Sequence, residues 1–233
     1  MGNSNHNILA QHQVTICTSR LEYPMRASRI GDFRKLVNSY AGSANDLFHN
    51  HKSEKTYHYR YPVVQYKLLD GKATLVGLTE PGAAALQSLM AHKGFRERCM
   101  EWLGEQFAVT EEFTDTLFLG SDLSNRYRLR QYLALNEDNF KTWLATPGLA
   151  GRTALLERCL TAHVLKLASA VRWKLPPGSL QVEILDFQSY TTRLHHVPFL
   201  AFDLLFQTNI TLPENAGLGK AVSHGYGTLF TDQ

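Results

Sequence analysis

Apolar residues recur along the chain in two periods, and the switches between them mark the elements. The segment VTICTSRLEY, residues 14–23, is rich in β-prone residues and predicts a strand. Ser28 can cap a following helix that runs to about Tyr40. In it Ile30, Phe33, Val37 and Tyr40 keep helical spacing, while Arg34, Lys35 and Asn38 fall elsewhere on the wheel. Ala41–Ser53 is dense in Gly, Ser, Asn and Asp and reads as loop. A strand is predicted from about Tyr57 to Leu69. Asp70-Gly71 is a hairpin turn signal, and Lys72–Leu78 supplies the partner strand. Pro81-Gly82 opens a short helix, Arg96–Leu103 predicts another, and Phe107–Leu119 supplies a strand. Strand, helix, strand, strand, helix, strand is the order of a ferredoxin-like split βαβ unit.

The second half repeats the theme more loosely. Tyr127–Leu135 predicts a strand and Asn139–Ala145 a short helix. Arg152–Trp173 predicts a long amphipathic helix with Leu155, Leu156, Cys159, Leu160, Val164, Leu167 and Val171 on one face. Pro176-Pro177-Gly178 ends that region. Leu180, Val182 and Ile184 alternate in one strand, and Pro198 to Ile210 form a longer one. The expected architecture is α+β: two tandem ferredoxin-like domains with a C-terminal glycine-rich loop. The boundaries are a flexible arm over 1–12, an N-terminal domain over 13–120 and a C-terminal domain over 121–233.

Composition agrees with two domains. The chain has 233 residues, 44% of them hydrophobic, which is enough for two cores and excludes wholesale disorder. Lys plus Arg number 24 and Asp plus Glu 21, for a formal charge of +3. Such a balance neither demands a nucleic-acid partner nor excludes one, since a patch can be basic within a balanced whole. Cys17, Cys99 and Cys159 are odd in number and far apart, so a disulfide framework is not expected. No run of 18 apolar residues occurs, and the polar N-terminus lacks a secretory pattern. A cytoplasmic protein with no membrane partner is the expectation.

Two segments carry candidate chemistry. The first is LFHNHKSEKTYHYRYP, residues 47–62, with three histidines, two lysines, one arginine and three tyrosines. Imidazoles titrate near neutral pH, so one can accept a proton while another donates one. Adjacent Lys or Arg can stabilise charge building on a phosphorus centre. These are the needs of metal-free RNA cleavage, in which a 2′-hydroxyl attacks its own phosphate. The bland alternative is a polar surface loop whose histidines cap backbone groups. A metal site from His49, His51 and His58 has only Asp46 and Glu54 as nearby acids; no metal or other cofactor is expected. The second segment is LPENAGLGKAVSHGYGTLF, residues 212–230. Its glycines permit positive φ and let backbone N–H groups approach phosphates. It contains neither a Walker loop nor a dinucleotide fingerprint. The doublet His195-His196 and the strand-spaced Tyr57, Tyr59 and Tyr61 are weaker signals, read as surface decoration and half-buried packing.

Gly217-Leu218-Gly219 followed by Gly225-Tyr226-Gly227 near the C-terminus resembles the signature of the CRISPR repeat-RNA-processing endoribonucleases of the repeat-associated mysterious protein (RAMP) superfamily. RYPVVQYKLLDGKATLVGL, residues 60–78, preceded by Phe48-His49-Asn50-His51, is similar to a compact bacterial subgroup of these enzymes. The resemblance implies metal-independent cleavage of precursor CRISPR RNA within its repeats, leaving 2′,3′-cyclic phosphate and 5′-hydroxyl ends. It implies a catalytic histidine after the first helix, at His49 or His51, helped by Tyr40 and by Lys52 or Lys55. RNA contact is then expected from Arg34, Lys35, Arg60, Lys166, Arg172, Lys220 and His224, with Gly217, Gly219, Gly225 and Gly227 shaping the loop. Repeat RNA is the implied partner, with other CRISPR effector subunits as further ones. The alternative is a noncatalytic RNA-binding subunit of a CRISPR ribonucleoprotein. A plain interaction protein with incidental histidines is a third reading.

Overall fold

The computed structural model describes residues 8–42, 46–48, 51–53, 56–57, 61–194 and 196–232, with backbone alone for 51–53, 56–57 and 102. In chain order the elements are β1 (Ile8–Pro24), α1 (Ile30–Ala41), β2 (His51–Ser53), β3 (Thr56–Tyr57), β4 (Val64–Leu69) and β5 (Lys72–Leu78). There follow α2 (Thr79–Ala91), α3 (Lys93–Leu103), β6 (Ala108–Gly120), β7 (Asn125–Tyr132), α4 (Glu137–Ala145) and α5 (Leu149–Ala170). The chain ends with β8 (Val182–Leu194), β9 (Val197–Thr208) and β10 (Thr228–Thr231). Short 3-10 turns occupy Ala27–Arg29 and Val222–His224.

Two compact units result. The N-terminal unit holds Val14–Asp115 together with Val222–Gly225. The C-terminal unit holds Thr116–Ala221, the residues from Tyr226 on, and the chain's first residues through Gln13. The chain passes between units inside β1 and inside β6.

The N-terminal sheet has the order β4-β5-β1-β6, and the C-terminal sheet β10-β7-β9-β8. Numbered within each unit, both read 4-1-3-2 from one edge. This is the ferredoxin-like order expected from the element sequence. In the first unit α1, α2 and α3 cover one face of the sheet. Cys17, Leu21, Phe33, Val37, Tyr66, Leu75, Leu86 and Phe95 are buried there. The Asp70-Gly71 turn has φ of 49° and 73°, the left-handed pair that a two-residue hairpin requires. In the second unit the apolar face of α5 is buried over Leu155, Leu156, Cys159, Leu160, Val164 and Leu167, as its periodicity predicts.

Three details depart from the sequence reading. Residues 8–12, expected as a loose arm, begin β1. The expected strand from Tyr57 to Leu69 is divided into β3 and β4, with Tyr61 and Pro62 outside both; proline has no N–H to give a ladder. Ser28 lies in the 3-10 turn, and α1 starts after Arg29 with no side-chain cap. Among the described residues, no α-helix follows β9; the chain there carries the expected glycine-rich segment, whose 3-10 turn belongs to the N-terminal unit.

Candidate functional site

The first cluster is built by α1, β4 and the 3-10 turn at Val222–His224. Arg34 Nη1 lies 2.7 Å from His224 Nε2. A guanidinium can only donate, so this Nε2 is the unprotonated nitrogen of the ring. The same guanidinium stands 5.8 Å above the Tyr66 ring, and Tyr66 Oη donates to Asn38 Oδ1 at 2.8 Å. Burial lowers the pKa of Arg34 and raises that of Tyr66. Arg34 Nε is buried with no hydrogen-bond partner. A Cβ at Gly225, where φ is +86°, would overlap Ile30 Cδ1. Glycine there lets the turn close onto α1, bringing the Arg34–His224 contact within reach.

Tyr40, in the last turn of α1, is held edge-on by His92 and Phe95, with ring centroids 5.7 Å away in each case. Lys35 projects from the exposed side of the same helix. The histidine segment follows. His51 and Lys52 lie in β2, and the backbone of His51 pairs with Tyr57. His49, Lys55 and Arg60 lie outside the described residues, as do His58, Tyr59 and His195. Tyr61 accepts a hydrogen bond from Gln65 Nε2 at 2.8 Å, a packing role rather than an open stacking face.

Lys67 on β4 is a group the sequence reading missed. It lies with Gln65 on the sheet face opposite Tyr66, fully buried, and burial pulls its amine down to about 7. Its only sequence signal is the run Val64-Gln65-Tyr66-Lys67, in which two polar residues alternate with apolar ones at strand period. That pattern ordinarily marks a solvent face.

The second cluster belongs to the C-terminal unit. Tyr132 Oη and His163 Nδ1 are 2.6 Å apart, with the rings edge to face. Burial, then the charges of Lys166 and Lys220, push the His163 imidazole down to about 4. The glycine-rich segment lies over this pair. A Cβ at Gly219 would stand 2.7 Å from Tyr132 Cε2 and 2.9 Å from Leu133 O. Lys220 donates its backbone N–H to Leu133 O and holds its ammonium 5.5 Å from the Phe199 ring centroid. Leu218 N–H goes to Gly227 O, Gly227 N–H to Gln131 O and Gly225 N–H to Val222 O. These three donors are spent on protein carbonyls and are closed to phosphate. Tyr226 Oη donates to Arg193 O at 2.9 Å. Lys166 and Arg172 are exposed on α5 and just past its end, and Gly217 is buried.

Both halves of the chain match known families. Residues 12–102 match the Cas6b N-terminal domain and residues 120–231 the Cas6b C-terminal domain. The chain belongs to the Cas6b family. A solved structure titled Cas6b superposes with a TM-score of 0.80 at 17% identity, over 95% of this chain and 100% of that one. A second, titled CRISPR RNA processing endoribonuclease Cas6b, gives 0.72 at 19% identity, with coverage of 95% and 100%. A third, titled Csf5, CRISPR-Cas type IV Cas6 crRNA endonuclease, gives 0.59 at 14%, again over 95% and 100%. At these identities the superpositions speak for the fold. An uncharacterized protein from Methanocaldococcus jannaschii, MJ0978, is 23% identical over 125 residues, covering 54% of this chain and 77% of that protein. No helix among the described residues is long and apolar enough to cross a membrane.

Proposed function

We propose that this chain is an endoribonuclease that cuts precursor CRISPR RNA within its repeats and needs no metal ion. The observation that carries the reading is a Cas6b-family chain with His49 and His51 eight and ten residues past the end of the first helix. Its support from relatives is the solved Cas6b whose title names a CRISPR RNA processing endoribonuclease.

One imidazole of the pair takes the proton from the 2′-hydroxyl. That oxygen attacks the adjacent phosphorus, the 5′-oxygen leaves with a proton from a second acid, and a 2′,3′-cyclic phosphate results. Lys52 or Lys55 stabilises the charge on the phosphorus oxygens, and Tyr40 assists from the end of α1. Lys35, Arg60, Lys166, Arg172 and Lys220 hold RNA phosphates. Arg34 and His224, bonded to each other, orient the glycine-rich segment on α1.

The test is cleavage of cognate repeat RNA in EDTA by wild type, His49→Ala and His51→Ala, with end-group analysis. The reading requires cyclic-phosphate ends from wild type and loss of rate in at least one variant. Wild-type rates in both variants overturn the histidine assignment. Activity abolished by EDTA overturns metal independence. Tight RNA binding with no product returns the chain to a noncatalytic subunit.

A further inference from the structure

Helix α5 ends in an unusual way. Trp173 N–H bonds to Ala168 O at 2.8 Å and Arg172 N–H to Ser169 O at 3.1 Å. This is the Schellman pattern, whose first residue past the cap adopts the left-handed conformation and is normally glycine. Here that residue is Arg172, at φ +64°. A side chain with a Cβ is strained there. Among the described residues, six other non-glycine residues also have positive φ, so what sets Arg172 apart is its place at the mouth of a cleft.

The strained arginine borders a cleft of about 650 Å³. Leu165, Ala168 and Leu175 give it an apolar floor, and among the described residues Arg172 and Lys174 are its only charged lining residues. Leu165 is 45% exposed at this floor. Behind the floor, Trp173 is stacked on His12 with centroids 5.7 Å apart and planes at 13°. The His12 Nε2–H donates to Val171 O at 2.7 Å, so the wall is fixed. Among the described residues, no ion pair involves Arg172 or Lys174. Residues 158–182 contain Arg158, Lys166, Arg172 and Lys174 and no acid at all, in a chain with 21 acids.

We infer that this cleft is a nucleotide subsite for single-stranded RNA. The apolar floor takes a base, and Arg172 and Lys174 take the flanking phosphates. The inference rests on the proposed RNA function and deepens it, adding a base site and Lys174 beside Arg172, which that function already sets on phosphate. Charge complementarity selects the occupant: an apolar slot with two unpaired cations and no acid fits a base with its phosphate.

The strain supplies a test in which stability and binding move in opposite directions. Arg172→Gly places the favoured residue at the helix end, so the Tm should rise by about 2–4 °C. The same variant should bind repeat RNA about tenfold more weakly. Its slope of log affinity on log salt should fall by about 0.7. The probe is cognate repeat RNA with 2′-O-methyl riboses, which lacks the attacking hydroxyl, read by fluorescence anisotropy. Lys174→Ala, which leaves the backbone conformation alone, should show the same loss of affinity and slope. Unchanged affinity and slope in both variants overturn the subsite, as does a fall in Tm for Arg172→Gly. Polyglutamate competing as well as polyuridine for the wild-type protein would mean an acidic-peptide site and also overturns it. A wild type that cuts repeat RNA while the variants bind normally defeats the subsite alone. A wild type that neither cuts nor binds RNA defeats the proposed function and the subsite together.

Discussion

The Tyr132–His163 pair makes the stability of the C-terminal unit depend on pH in a calculable way. The imidazole titrates at about 4 in the folded chain against an ordinary 6.5, chiefly because it is buried. The folded state therefore binds fewer protons than the unfolded state between those two values. Stability is complete above about pH 6.5, falls as the unfolded histidine takes up its proton, and levels off below about pH 4. A displacement of this size corresponds to on the order of 3 kcal/mol. Carboxylates also titrate in this range, so the quantity to measure is the difference from His163→Gln, whose amide can still bond the Tyr132 hydroxyl. Urea denaturation of both proteins from pH 8 to pH 4 gives that difference. It should be flat above pH 7 and should fall by about 3 kcal/mol toward pH 4, with the wild type losing relative to the variant. A difference that stays flat across the range would refute the reasoning. So would one that grows in favour of the wild type on acidification, since that would mean a stabilised imidazolium.

Lys67 gives a similar test at alkaline pH. Its amine titrates at about 7 rather than 10.5, so Lys67→Met should gain on wild type as pH falls from about 10.5 to about 7, then hold constant; urea melts across that range check it. Gly227 has φ +63°, and a Cβ there would overlap Leu218 O. Gly227→Ala should cost about 3 kcal/mol or more and lower the Tm in a thermal melt. His224→Ala removes the acceptor from Arg34 Nη1. With Arg34 Nε already unpartnered, it should cost about 1–3 kcal/mol by urea denaturation, and Arg34→Met in the same background should recover part of that loss.

The sequence displayed the elements that have a clean period or a strong turn residue. The buried face of α5 could be listed in advance because seven apolar residues recur at helical spacing. Asp70-Gly71 named its own hairpin. The first residues of β1 escaped because Ile8, Leu9 and Gln11 are all exposed, so no alternation distinguishes strand from arm. Tyrosines at 57, 59 and 61 imitated a continuous strand, and only the missing N–H of Pro62 contradicted it. The end of α5 was expected at Trp173 because no glycine stops it; an arginine in a glycine's conformation does, three residues earlier. Of the site, the histidine segment was legible as composition. The pairs that organise the rest were not, since Arg34 and His224 stand 190 residues apart and Tyr132 and His163 stand 31 apart. Nothing periodic joins such partners; they meet through sheet order and packing.

The glycine-rich segment changes meaning once its hydrogen bonds are followed. Read as letters, alternating glycines with a lysine suggest a cradle of N–H groups for phosphate. In the fold, Leu218, Lys220, Gly225 and Gly227 all give their N–H groups to protein carbonyls. Val222 and Leu218 are buried, Asn215 N–H goes to Leu229 O and Leu229 N–H to Ala216 O. A segment with these donors committed is anchored to the strand that ends at Tyr132 and to the residue after it, through Gln131 O and Leu133 O. Its glycines are needed where backbone meets backbone or ring at distances no Cβ tolerates. What it offers a ligand is then the side chains it carries outward, Lys220 on the C-terminal unit foremost. Replacing Lys220 should reduce the salt slope of RNA binding without disturbing the fold, whereas replacing Gly227 should damage the fold first. The order of those two effects separates a scaffold from a cradle, and the backbone bonds already drawn favour the scaffold.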